Sequence, residues 1–132
     1  MGSFNESLNS IMYKSSLELK AFQFCDYNEK IKKFSIEPFA IQYVKPTDNK
    51  LHRYYPDLFI EFDEKNRFLV EVKSFSETQL PIKPKKITTK STKNYKKALV
   101  TYSINQAKWS AAKDFCDKKG IRFIFLTEKE LH

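Results

Sequence analysis

Glycine, cysteine and long apolar runs are what this sequence has least of. Two glycines and two cysteines in 132 residues exclude a collagen-like chain, which needs glycine at every third position, and a small disulfide-stapled scaffold, which needs several cysteine pairs. No apolar stretch approaches the roughly 18 to 20 residues of a membrane-spanning helix, and no apolar segment follows Met1 as a secretory signal requires. The expectation is an intracellular protein with no membrane partner, cytoplasmic, and in the host cytoplasm if a phage encodes it. Cys25 and Cys116 are far apart and lack metal-ligand spacing, so they read as small buried residues.

What is present is core-forming and basic. With 41% apolar and 15% aromatic residues the chain has enough to fill one core, and its length fits a single domain over residues 1–132. The net charge of +8 comes from 24 Lys and Arg against 16 Asp and Glu, which makes nucleic acid the first partner class to test. The excess is local. Seven lysines, Lys83, Lys85, Lys86, Lys90, Lys93, Lys96 and Lys97, lie between Pro81 and Lys97 without an acid, and the rest of the chain holds 17 basic against 16 acidic residues. Lys outnumbers Arg by 21 to 3, a bias of A+T-rich genomes such as those of phages and mobile elements.

Hydrophobic periodicity predicts an α/β order of helix, strand, strand, strand, helix, strand around a mixed sheet. A helical pattern runs over 5–27, with Leu8, Ile11 and Met12 on one stripe and Leu17, Ala21, Phe24 and Cys25 on the next. Ser15 with Glu18 reads as a capping box between the two stretches. Strands are expected at about 39–44, 53–62 and 67–74, the last two forming a hairpin through the polar turn 63–66. A Lys-rich loop is expected at about 75–97, without periodicity, overlapping a helix that begins near Tyr95 and ends before Gly120. The last strand, 121–126, runs into a second capping-box pair, Thr127 and Glu130, for a short terminal helix.

The hairpin carries the chemistry. Strand side chains alternate faces, so Glu71 and Lys73 share one face while Val70 and Val72 take the other. With Glu61 opposite Arg67, Asp57 falls opposite Glu71; with an even loop it falls opposite Val72. In either register two carboxylates come within reach of one cation. Hard oxygens from Asp57 and Glu71 suit Mg²⁺, with Mn²⁺ as a substitute, and Lys73 can orient or deprotonate the attacking water or stabilise charge on phosphorus. Without a cation the two carboxylates repel, and one is driven toward protonation.

Pro56-Asp57, a gap of thirteen residues, then Glu71-Val72-Lys73 resembles the PD-(D/E)XK motif of the restriction-endonuclease-like nucleases. Within that superfamily the chain looks like the TnsA-like transposon endonucleases and related phage and homing endonucleases. The likeness extends from Ser16-Leu17-Glu18 through Glu37-Pro38 and the hairpin to Ala107-Lys108-Trp109-Ser110-Ala111-Ala112 and Phe123 to Glu128. It implies a Mg²⁺-dependent DNA endonuclease in which Asp57 and Glu71 bind metal together with the Val72 backbone carbonyl. It also makes Lys73 the catalytic lysine and Glu18 the helical acid facing the metal, with Glu6 as the alternative acid. The seven lysines and Arg53 are expected to hold the DNA backbone; His52 and Tyr54 are nearby candidates. Gln106 and Lys108 are expected to support the site from the sheet-facing side of the second helix, and Trp109 to lie in the core.

Other readings remain open. Glu71 and Lys73 also fit a surface ion pair, Asp57 a turn residue, Glu18 a capping residue, and the lysines a solvated loop. The biological role lies among homing, transposition and Holliday-junction resolution, since one fold serves all three. A catalytically inactive DNA-binding module and a basic protein-interaction domain are the competing classes. So small a chain needs a homodimer, a higher homo-oligomer or a larger recombination or transposition complex to gather sufficient base contacts.

Overall fold

The structure, a computed structural model, describes residues 16–131. The stripe Leu8, Ile11 and Met12, the cap Ser15 and the alternative acid Glu6 lie outside the described residues. Helix α1 (Ser16–Tyr27) is followed by strands β1 (Lys33–Ile36), β2 (Ile41–Lys45), β3 (Lys50–Tyr54), β4 (Leu58–Glu61) and β5 (Arg67–Val72). A 3-10 turn (Phe75–Thr78), helix α2 (Thr89–Lys119) and strand β6 (Arg122–Leu126) complete the order. No helix among the described residues is long and apolar enough to cross a membrane.

The main sheet is mixed, in the order β1-β4-β5-β6, and β2-β3 forms a separate antiparallel hairpin. β4 and β5 pair antiparallel with Glu61 opposite Arg67, while β5 and β6 run parallel, which requires a crossover that α2 supplies. The turn between β4 and β5 is tied by Asp63, whose Oδ1 accepts from the Lys65 and Asn66 amides at 2.8 and 2.9 Å.

Alternation along the central strands divides the core in two. Leu58, Ile60, Val70 and Val72 face α1, against Ala21, Phe22 and Cys25. Leu69 faces the other way, into a cluster with Ile41, Tyr43 and Tyr54 of the small hairpin and Trp109, Ala112 and Cys116 of α2. The sheet is therefore covered by α1 on one face and by α2 with β2-β3 on the other. Leu58 and Leu69, both 0% exposed, anchor opposite faces, and Leu58→Ala or Leu69→Ala is expected to lower unfolding free energy by about 2–5 kcal/mol in urea titrations. Burial pushes the Cys25 thiol up to about 12 and that of Cys116 up to about 11, so both pack as neutral, unreactive groups.

Four boundaries differ from the expectations, each for a physical reason. The stretch 33–44 holds two strands in two different sheets, separated at Glu37, whose φ is 45°. The run 53–62 breaks at buried Pro56, because proline has no N–H to give to a ladder; the chain leaves one sheet there and enters the other. Helix α2 starts at Thr89 rather than near Tyr95. Thr88 caps it reciprocally with Ser91, at 3.0 and 2.8 Å, so capping rather than an apolar stripe defines its first two turns. Near the chain end Thr127 and Glu130 make the expected capping contacts, 2.8 and 2.9 Å, but among the described residues 128–130 form a turn and not a helix.

The C-terminus of α2 follows the glycine logic of the sequence. Gly120 sits at φ 68°, a left-handed conformation that side chains resist, and Arg67 Nη2 donates to the Lys119 carbonyl at 2.8 Å. Gly120→Ala is expected to cost about 1 kcal/mol, seen as a lowered Tm.

Candidate active site

Asp57 follows directly on the strand break, and three backbone contacts hold it. Its amide donates to the Val70 carbonyl at 3.1 Å, its carbonyl accepts from Glu37 at 2.9 Å, and its Oδ2 accepts from the Val72 amide at 2.7 Å. Because Leu58 pairs with Val70, Asp57 lies opposite Glu71. Both side chains belong to residues only 7% exposed.

Glu71 is the electrostatic centre of this arrangement. The Tyr54 hydroxyl donates to its Oε1 at 2.5 Å, and Lys73 Nζ lies 3.6 Å from its Oε2. Burial, with the neighbouring Asp57 charge second, pushes the Glu71 carboxyl up to about 7, against the opposing pull of Tyr54, Lys73 and Lys108. The start of β4 and the facing end of β5 thus hold two largely buried acids side by side, where burial weakens the screening of their charges.

Tyr54 is the residue whose position sequence reasoning did not anticipate. Placed beside Arg53, it reads as a DNA contact; in the structure it is 5% exposed, and its ring is packed in the cluster under α2. Burial and the Glu71 charge hold its hydroxyl protonated, against a smaller opposing pull from Trp109. An alternation argument for β3 places Tyr54 inside, but its partner lies 17 residues away, beyond any local pattern.

These groups line a cleft of about 460 Å³. Glu18 reaches it from the first turn of α1, Arg53 and Tyr54 from β3, and Lys108 from α2. Lys108 Nζ sits 5.9 Å from the ring centres of both Tyr43 and Tyr54, a cation over aromatic faces. Glu77, which the sequence patterns did not single out, closes one side. Gln106, expected to face the sheet, is instead exposed on α2 and outside the cleft. His52 pairs with Asp48 at 2.8 Å in the β2-β3 hairpin.

The lysine-rich segment divides between loop and helix. Lys83, Lys85 and Lys86 are exposed in the loop, while Lys90, Lys93, Lys96 and Lys97 are exposed on the first turns of α2. None of the seven lines the cleft. Lys90, Lys93 and Lys97 recur at helical spacing and share one face.

A mixed sheet with a helix on each face and two buried carboxylates facing each other on its central hairpin is the arrangement of the restriction-endonuclease-like class of nucleases. The particular family follows from comparison: the model of the TnsA-like endonuclease N-terminal domain matches residues 28–128, and the chain belongs to that family. It is also 35% identical over 121 residues to the head completion nuclease of Enterobacteria phage T4, an alignment covering 92% of this chain and 81% of that protein. No solved structure matches the chain. The resemblance read from the hairpin motif is thus borne out, as are the fold class and the activity: the protein is an endonuclease of the kind carried by phages and mobile elements.

Proposed function

We propose that residues 1–132 act as one domain, a divalent-metal-dependent endonuclease that hydrolyses DNA phosphodiester bonds with water as nucleophile. The observation that carries this reading is the buried Asp57-Glu71 pair with Lys73 Nζ at 3.6 Å from Glu71. Two acids that repel when left alone are a poor structural device and a good cation site. Their oxygens are hard donors of the type Mg²⁺ and Mn²⁺ prefer. Among the described residues no three His, Cys, Asp or Glu cluster closely enough to hold a metal by themselves, so the remaining ligands fall to the Val72 carbonyl, water and phosphate, the usual sharing for Mg²⁺.

In this reading Asp57 and Glu71 hold the cation and Glu18 faces it from α1. When bound, Mg²⁺ supplies charge neutralisation at phosphate and a lowered pKa for water. Lys73 orients the water or donates to a phosphoryl oxygen as charge develops there. Tyr54 fixes the rotamer of Glu71 and so the position of one carboxylate oxygen. Tyr54→Phe is expected to slow cleavage about 10- to 100-fold, the worth of one hydrogen bond to a charged group, with an unchanged circular dichroism spectrum. Equal cleavage rates for the two proteins would remove Tyr54 from the machinery.

Plasmid cleavage with Mg²⁺, Mn²⁺, Ca²⁺ or EDTA tests the whole proposal. Cleavage is expected with the first two, leaving 5′-phosphate and 3′-hydroxyl ends, and its absence under every condition overturns the reading. Among biological roles, head completion gains support from the near full-length likeness to the T4 nuclease; homing, transposition and junction resolution use the same chemistry on other DNA. Cutting both strands calls for two active sites, so the working form is proposed as a homodimer or higher homo-oligomer. Sedimentation showing a monomer both free and on DNA would contradict that.

A further inference from the structure

The basic segment after β5 carries more than charge. No acid occurs between Glu77 and Asp114, yet the polar connection before α2 displays three large aliphatic side chains: Leu80 is 64%, Ile82 90% and Ile87 73% exposed. A lone exposed apolar residue is ordinary, whereas three within eight positions on one connection are not. Ile82 stands between Pro81 and Pro84 and beside Lys83, Lys85 and Lys86. Proline locks its own φ and restricts the residue before it, so little freedom is lost when this tip is pressed against a partner.

The tip is also well placed. Leu80, Pro81 and Ile82 line an apolar groove of about 520 Å³ against Ala98 and Tyr102 of α2. Glu77 lines both this groove and the cleft that holds Asp57 and Glu71. The groove itself holds Glu77 and no lysine, but from Thr78 onward the connection carries Lys83, Lys85 and Lys86 and no acid, so a tip beside the cleft is complementary to a phosphate backbone and not to another basic surface. Aliphatic side chains flanked by backbone-binding cations are the means by which proteins open a base step from the minor groove.

We propose that Ile82, with Leu80 and Ile87 beside it, is an apolar wedge that unstacks a base step next to the scissile phosphate while the neighbouring lysines hold the backbone. The wedge rests on the endonuclease reading above and adds a structural preference to it: DNA that is already kinked, nicked or branched is bound better than straight duplex. Deforming the duplex costs energy that depends on its sequence and continuity, so such a preference arises without base contacts.

The test uses the full chain and duplexes with 2-aminopurine at successive steps, whose fluorescence rises on unstacking. Wild type is expected to raise fluorescence at one or two steps. Ile82→Ser should abolish that rise and weaken binding about tenfold with the salt slope unchanged, because an apolar contact releases no counterions. Ile82→Met should restore both. Lys85→Gln should do the reverse, lowering the slope by about 1 and keeping the rise. Wild-type fluorescence in Ile82→Ser overturns the wedge, as does unchanged DNA binding with loss of self-association, which would make the patch a protein interface. Failure of wild type to bind or cut any DNA is distinct: it overturns the endonuclease reading on which the wedge depends.

Discussion

Asp57→Asn and Glu71→Gln are each expected to reduce DNA cleavage by about 10³-fold or more, because under the proposed mechanism each removes a negative oxygen that would hold the transition-state-stabilising cation. Binding to DNA should persist within a few fold, since the exposed cations lie on other elements. The measurement is the initial rate of supercoiled plasmid loss beside a filter-binding isotherm. Full activity in both variants would move the active site elsewhere. The same substitutions should act oppositely on stability. Glu71→Gln relieves a buried like-charge pair while its amide oxygen can still accept from Tyr54, so the metal-free variant is expected to melt a few degrees higher, about 1 kcal/mol.

The sign with pH follows from the raised carboxyl. The folded protein holds the Glu71 proton up to about 7, against an ordinary 4.5. Stability from this group is therefore fully present below the ordinary value and is lost as pH rises through the folded one. The advantage of Glu71→Gln in EDTA should be largest near pH 8 and absent near pH 4, at roughly those values. Saturating Mg²⁺ should narrow it further, since a cation bound only by the folded wild type stabilises it by mass action. An advantage of equal size at both pH values would show that the charges are not its source.

Salt supplies the second large effect. If all seven lysines of the 83–97 segment meet phosphates, the slope of log affinity against log salt is about −6, and raising salt from about 50 to about 200 mM weakens binding by about 10³ to 10⁴. Substituting Lys90, Lys93, Lys96 and Lys97 by Gln should flatten the slope by about 4 if these helix lysines all contribute. The four are exposed on a capped helix, so the fold should survive with little change in Tm. An unaltered slope would assign the backbone contacts to other cations, with Arg53 at the cleft the first to examine.

Much of the central hairpin was legible in the sequence. Period-two alternation put Val70 and Val72 on one face and Glu71 and Lys73 on the other, whereas the register stood open between an odd and an even loop until the structure paired Glu61 with Arg67 and so set Asp57 facing Glu71. Gly120 after α2 and the Thr127-Glu130 contact were equally readable, because caps act over three or four residues. The start of α2 was not readable from periodicity, since its first turns bury nothing and their signal is a Thr88-Ser91 box without the usual acid.

The sequence by itself determined the things that depend on neighbours along the chain: an α/β order, which strand face is apolar, where acids and lysines fall, and hence the class of chemistry. Tertiary structure alone decided that residues 41–54 serve a different sheet from 33–36 and 58–72, that Tyr54 rather than a solvent water meets Glu71, and that Gln106 stays outside the cleft while Lys108 enters it. It also decided where the basic segment stands: its lysines lie outside the cleft, which shares Glu77 with the adjoining apolar groove. The division has one physical cause. Alternation, capping and turn chemistry are short-range preferences written in adjacent residues, whereas a contact across 17 residues or between two helices forms only when the whole core closes around it.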